Sequence, residues 1–176
     1  SSLTNPYNET TDFTHDALGR VTRQDNANGT YSTWTFDASG QVDKVETRKS
    51  NGDIVLSMDH TRDNVGNPTQ MAEQLLDIDN ATLHTSTLDF GYDDINRLTM
   101  EKRTGYQPIW YEYAMDPAGN RTQFVQKDPA TGQVLGTTNG AYDAANKLQT
   151  YGNTSYTWAL QQNLWVNCGS GSAPRV

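Results

Sequence analysis

The sequence predicts an all-β protein, an antiparallel meander of about 12–14 strands in repeated hairpins, forming a strongly curved sheet or a segment of a barrel or shell. Three observations carry this. A hexamer opening with Asp recurs six times, at Asp16 (DALGRV), Asp37 (DASGQV), Asp63 (DNVGNP), Asp93 (DDINRL), Asp116 (DPAGNR) and Asp143 (DAANKL). The fourth position is always Gly or Asn: Gly19, Gly40, Gly66, Asn96, Gly119 and Asn146. Aromatic residues stand at alternate positions before most of these aspartates, as in Phe13, Trp34 with Phe36, Phe90 with Tyr92, Tyr111 with Tyr113, and Tyr142.

Each observation has a physical reading. Gly and Asn are the residues that most readily take positive φ, and Asp at the head of a turn accepts a hydrogen bond from the backbone two residues on. Pro117 follows its Asp where φ near −65° suits a turn. Side chains two apart on a strand share a face, so an aromatic stripe enters each turn and Val21, Val42, Leu98 or Leu148 leaves it. Each hexamer is a hairpin corner, and Asp16, Gly19, Asp37, Gly40, Asp63, Gly66, Asp93, Asn96, Asp116, Gly119, Asp143 and Asn146 are its structural residues. The spacings of 21, 26, 30, 23 and 27 residues describe a loose repeat, in which no unit buries its apolar face alone.

The elements follow in order. Residues 1–9 read as a loose lead-in, and the repeat domain as residues 10–167, with six clear repeats and one degenerate. Between the Asp turns lie spacer turns of varied sequence, at Asn26-Ala27-Asn28-Gly29, Ser50-Asn51-Gly52-Asp53, Asp77-Ile78-Asp79-Asn80, Thr104-Gly105, Asp128 to Gly132, and Gly152-Asn153. Met71 to Asp79 is the one stretch with partial helical spacing; it falls where every other repeat has a strand, and is read as a long bulged strand. Residues 155–164 keep the aromatic pair but lack the Asp and Gly, as a capping repeat does, and residues 168–176 read as a flexible tail. With so many strands, an open twisted sheet is expected to curl, split or close.

Bulk properties narrow the function. With only 34% hydrophobic residues but 10% aromatic, the chain suits a sheet alternating polar with apolar residues and not a disordered one. A net charge of −8 would repel phosphate, so neither nucleic acid nor an anionic membrane is an expected partner. No run approaches the roughly 20 apolar residues of a membrane-spanning helix. Cys168 is alone, which removes an intramolecular disulfide and a cysteine zinc site.

The hexamers with their aromatics resemble the Tyr-Asp (YD) repeats of the Rhs family, found also in toxin-complex proteins and teneurins. Residues 90–98 (FGYDDINRL) and 111–122 (YEYAMDPAGNRT) look nearest, the second with one extra residue before its Asp, and the resemblance runs from Phe13 to Leu164. It implies a β-strip that spirals into a hollow shell, commonly around a C-terminal toxin, in an extracellular or cell-surface bacterial protein; some such repeats are described as carbohydrate-binding. Nothing in the chain matches the Rhs-associated core with its self-cleaving aspartates. His60-Thr61-Arg62 stands in place of an aromatic pair, and Gly140 replaces one aromatic before Asp143. An excised piece of a longer strip and a small relative closed on itself are both open.

Chemistry is sparse. His60 beside Asp59 and Asp63 is the first suspect for acid–base catalysis, because flanking carboxylates favour the protonated ring. Glu46, Glu73, Glu101 and Glu112 are candidates for a paired-carboxylate glycosidase centre, although sequence cannot pair them. Asp77 to Asn80 has calcium-type oxygens without the Gly and distal Glu of an EF-hand. His15, His60 and His84 lack zinc-ligand spacing, so no metal is expected and no cofactor. Arg20, Arg97, Arg121 and Lys147 are expected to pair with acidic groups on facing strands. Trp34, Trp110, Tyr111 and Trp158 are the candidate binding residues, as stacking platforms for sugars. The expected function is therefore a structural or binding module, partnered by carbohydrate or by the rest of a larger Rhs-type chain. A freestanding carbohydrate-binding domain and a small hydrolase are the alternatives. Oligomeric state is not legible.

Overall fold

The computed structural model describes residues 1–158 and the backbone of 165–168; the degenerate repeat's end, the tail and the side chains of Trp165 and Cys168 lie outside the described residues. Among these, the chain is all strand and turn. The strands are β1 (Ser2–Thr4), β2 (Thr10–His15), β3 (Val21–Asp25), β4 (Tyr31–Phe36), β5 (Val42–Arg48), β6 (Ile54–Arg62), β7 (Pro68–Asp77) and β8 (Thr82–Tyr92). They continue as β9 (Leu98–Gly105), β10 (Ile109–Met115), β11 (Arg121–Lys127), β12 (Val134–Tyr142), β13 (Leu148–Tyr151), β14 (Thr154–Trp158) and β15 (Trp165–Cys168). The sheet order is the chain order, β1 through β15, an antiparallel meander as the sequence predicts.

Three details differ from the sequence reading. Three of the nine lead-in residues form β1, pairing Ser2 with Asp12 and Thr4 with Thr10. The turn expected at Thr104-Gly105 lies two residues later, because β9 continues through Gly105. Met71 belongs to β7, whose register with β8 runs unbroken from Gln70↔Asp89 to Asp77↔Thr82. A row of cross-strand bonds outcompetes the partial helical spacing there, and the expected bulge is absent from that pair.

Contacts divide the chain into two units, residues 1–90 with 102–108, and residues 91–101 with 109–176. In the first, register assigns the faces. Trp34, Val45, Met58, Glu73 and Ser86 are successive partners, as are His60, Met71 and Leu88, and together they make the apolar face. Thr33, Glu46, Ser57, Gln74 and Thr85 form the next row and point the other way. Leu88 is the one apolar side chain in the buried class among the described residues, at 4% exposure. The unit is thus one layer thick and is held by its ladders and rows of half-buried side chains more than by a second layer.

Candidate functional site

The repeated turns are the feature from which any site must be built. In each, the Asp backbone N–H donates to the carbonyl four residues on, and the N–H three residues on donates back to the Asp carbonyl, at 2.9–3.1 Å. The third residue after Asp has φ between 59° and 95° in all six. This is a tight turn closed by a left-handed residue, and only Gly or Asn enters it without cost.

The aspartate side chain then does something backbone geometry does not require. Oδ1 of Asp16 accepts the N–H of Leu18 and of Arg20; Oδ1 of Asp37, Asp63, Asp93 and Asp143 accepts the corresponding pair at 2.8–3.1 Å. Oδ1 of Asp116 accepts the N–H of Asn120. Oδ2 is taken in most turns by a side chain of the same turn: Arg20 Nε at 2.7 Å, Asn67 Nδ2 at 2.9 Å, Arg97 Nε at 2.6 Å and Asn120 Nδ2 at 2.8 Å. For Asp143 the donor is Gln149 Nε2 at 3.1 Å.

These bonds favour the ionised form. The side-chain amides of Asn67 and Asn120 hold Asp63 and Asp116 below the ordinary aspartate value. Backbone N–H groups of Arg97 and Lys147 do the same for Asp93 and Asp143. At Asp16 partial desolvation pushes upward, and the Arg20 guanidinium outweighs it. A carboxylate whose oxygens are occupied and whose proton affinity is lowered is a poor general acid or base at neutral pH.

Successive turns also touch. Arg97 Nη1 donates to the Asp116 carbonyl at 2.6 Å, and Asn120 Nδ2 to Asn146 Oδ1 at 3.1 Å. In the first unit Arg62 Nη2 donates to the Val42 carbonyl at 2.8 Å, and the Gln41 amide lies against Gly66, where a Cβ would sit 2.8 Å from it. Arg20 and Arg97 therefore bond within their own turn, Arg97 also to the next one, and not to acids on facing strands as expected: each meets the carboxylate of its own turn four residues back. Arg121 instead lies over the rings of Tyr113, Phe124 and Tyr151, 5.3–5.9 Å from their centroids, and donates to the Tyr151 hydroxyl.

One regularity went unread in the sequence. The register slips before the turns at Asp16, Asp37, Asp63, Asp116 and Asp143, leaving an extra residue six positions after each Asp: Thr22, Asp43, Thr69, Thr122 and Gln149. Thr22, Thr69 and Thr122 donate their hydroxyls to the carbonyls of Thr14, Thr61 and Ala114 across the bulge at 3.2–3.3 Å. The recurring Thr is the signal that could have found the bulge.

The catalytic suspects do not converge. Asp59 pairs with Lys44 and Ala72 on the polar face, whereas His60 sits on the apolar face opposite Met71, its Nδ1 3.2 Å from the Asp43 carbonyl. Asp63 is consumed by its turn. Glu46 and Glu73 are both buried but stand in adjacent rows, hence on opposite faces. Glu46 bonds Arg48 at 2.8 Å and Glu73 bonds Arg103 at 3.2 Å. Burial raises the Glu46 carboxyl, and Arg48 with Lys44 pulls it below its ordinary value. Glu101 acts on Tyr113, whose hydroxyl burial pushes up first, while Glu112 next to Tyr113 points the other way and bonds Lys127 Nζ at 2.6 Å. Asp77 accepts from the Asp79 N–H and the Asn80 side chain, and His84 is 3.8 Å from it and stacked on Tyr106.

Of the candidate binding aromatics, Trp34 belongs to the first unit and Trp110, Tyr111 and Trp158 to the second. Trp110 and Tyr111 are neighbours on β10 and face opposite ways; Tyr111 packs on Phe124, Lys127 Nζ lies 5.0 Å from the Trp110 ring, and Trp158 Nε1 donates to the Leu148 carbonyl. Gly140, where the pattern loses an aromatic, has no room for one: a Cβ there would lie 2.8 Å from the Arg121 carbonyl oxygen.

Residues 15–54, spanning the Asp16 and Asp37 turns, match the family model described as RHS Repeat. No sequence among the curated proteins matches the chain. Among solved structures the chain is similar to the Tc holotoxin pore of Photorhabdus luminescens, at 9% identity and TM-score 0.34 over 94% of this chain and 13% of that one. It is similar also to a TcdB2–TccC3 complex, at 13% identity and TM-score 0.34 over 97% and 13%. A porin-like protein from Bacteroides uniformis shows 10% identity and TM-score 0.40 over 91% and 86%. The chain spans about an eighth of the length of the two toxin-complex chains.

Proposed function

We propose that the chain, whose residues 15–54 match the RHS Repeat model, is a structural module, a run of hairpin corners that builds wall within a larger Rhs-type chain exposed at or beyond the cell surface. The observation that supports this reading is the fate of the six aspartates. Oδ1 closes the turn in all six and Oδ2 takes a side-chain donor in five, while Arg97 and Asn120 reach on to the next turn, so the most repeated residues are spent on holding shape.

Neither the glycan-binding nor the hydrolase alternative has such an observation behind it, since the residues each would use lie on different faces or in different units. One experiment separates the three. Wild type and His60→Ala are assayed on ester, peptide and glycoside panels, and tryptophan fluorescence is followed during glycan titration. The module reading expects no turnover, no saturable quenching, and a lower melting temperature for Asp63→Ala. Turnover lost in His60→Ala would establish the hydrolase, and saturable quenching removed by Trp110→Ala would establish the glycan site.

A further inference from the structure

Three Asn-Gly pairs occur in the chain, at Asn28-Gly29, Asn51-Gly52 and Asn139-Gly140. Such a pair can close on itself, because glycine puts no Cβ between its own backbone nitrogen and the preceding asparagine side chain. The Gly nitrogen bonds to the Asn Cγ, the Cγ–Nδ2 bond breaks, and the proton lost by the Gly nitrogen leaves with Nδ2 as ammonia. Water then opens the cyclic imide at either carbonyl, giving aspartate or isoaspartate. No oxidant or cofactor is involved. The slow event is negative charge building on Oδ1 as the nitrogen adds, so donors aimed at that oxygen decide which pair reacts.

The three sites differ there. Asn28 Oδ1 accepts two donors from Thr30, the backbone N–H at 3.0 Å and the hydroxyl at 2.8 Å. Asn51 Oδ1 accepts one, the Asp53 N–H at 3.1 Å, and the Asn51 amide nitrogen donates to the Asp53 carboxylate, whose charge opposes the developing one. Asn139 Oδ1 also accepts one donor, Gln123 Nε2 at 3.1 Å, but Asn139 lies inside a ladder opposite Gln123, with its backbone carbonyl taken by the Gly152 N–H. The Gly140 backbone beside it is hemmed in by the Arg121 carbonyl. In the two exposed turns the Gly nitrogen is itself bonded, Gly29 to the Asn26 carbonyl and Gly52 to the Lys49 carbonyl, both at 2.9 Å, so each reaction waits on a local opening of the turn.

We infer that Asn28 is a self-modifying site, deamidating first among the three under assistance from the Thr30 N–H and hydroxyl. Its product puts a new carboxylate in the β3–β4 corner, and in the isoaspartyl form an extra backbone methylene between the two bonds that close it. The inference stands on this corner alone and is independent of the module reading.

The test incubates the folded chain in mildly alkaline buffer and maps tryptic peptides by mass, separating aspartyl from isoaspartyl products. Asn28 is expected to convert several-fold faster than Asn51, and Asn139 slowest. Thr30→Val is expected to slow Asn28 several-fold in the folded chain and Thr30→Ser to restore it, while in urea the three sites converge and the Thr30→Val effect shrinks. Conversion of Asn51 as fast as Asn28 in the folded wild type would overturn the inference, whatever the variants do. So would an unchanged Asn28 rate in folded Thr30→Val.

Discussion

A meander turns alternately at its two rims, and in each unit the two rims solve the same problem differently. Within each unit the Asp turns fall on one rim and the spacer turns on the other. The spacer turns at Asn26–Thr30 and Lys49–Asp53 make the same pair of backbone bonds as the Asp turns, and Gly29 and Gly52 take the same positive φ. Asp is thus unnecessary for the corner itself. What the Asp rim adds is a carboxylate that gathers the turn's N–H groups and side chains, and at Arg97 and Asn120 a residue four after the Asp that reaches the neighbouring turn. Uniform sequence marks the rim where corner locks to corner; varied sequence marks the rim where each corner stands on its own contacts.

Glycine replacements sharpen this contrast most. Gly105, on the spacer rim, has φ +89°, and a Cβ there would overlap the Thr85 carbonyl oxygen. Gly105→Ala is expected to destabilise by about 2–5 kcal/mol, adding overpacking to left-handed strain. Gly19, on the Asp rim, has φ +78° with open space around it, so Gly19→Ala keeps only the strain, about 1–2 kcal/mol. Thermal or urea denaturation of the two variants side by side measures the difference, and equal losses would break the comparison.

Acid should loosen the Asp rim first. The carboxyls of Asp16, Asp63, Asp93, Asp116 and Asp143 are lowered from the aspartate reference of 3.8. The unfolded chain binds protons at higher pH than the folded one, so their stabilisation is complete above about pH 5 and is lost as pH falls through the folded values. Amide exchange followed across that range is expected to rise at the Asp turns before it rises at Gly29 or Gly52. Smallest of all, Leu18→Ser at an exposed turn tip should change stability by no more than about 0.5 kcal/mol.

Much of this was legible in the residues. Asp with Gly or Asn three positions on is a local rule, and it placed all six corners because a turn is decided by its own four or five residues. Arg20 and Arg97 were misassigned because the carboxylate each meets first is that of its own turn, four residues back, at 2.7 and 2.6 Å. The bulge was recorded as Thr22, Thr69 and Thr122, yet a Thr at a fixed offset looks like ordinary strand composition until the unpaired carbonyl is seen. Glu46 and Glu73 look like a pair in the sequence and are separated by face, which only strand pairing reveals. β1 was missed because Ser2–Thr4 carries no apolar alternation; its pairing with β2 comes from backbone bonds and the Thr4–Thr10 hydroxyl contact at 3.0 Å.

Amide hydrogen exchange at Arg20, Gln41, Asn67, Arg97, Asn120 and Lys147, the residues whose N–H groups the turn carboxylates hold, tests the account most directly. Slow exchange at all six near neutral pH, becoming fast at the same position when its aspartate is changed to Ala, is the result expected of carboxylates spent on the corners. Fast exchange at these positions in the native chain, or protection that survives the Asp→Ala change, would mean the carboxylates are free for other work.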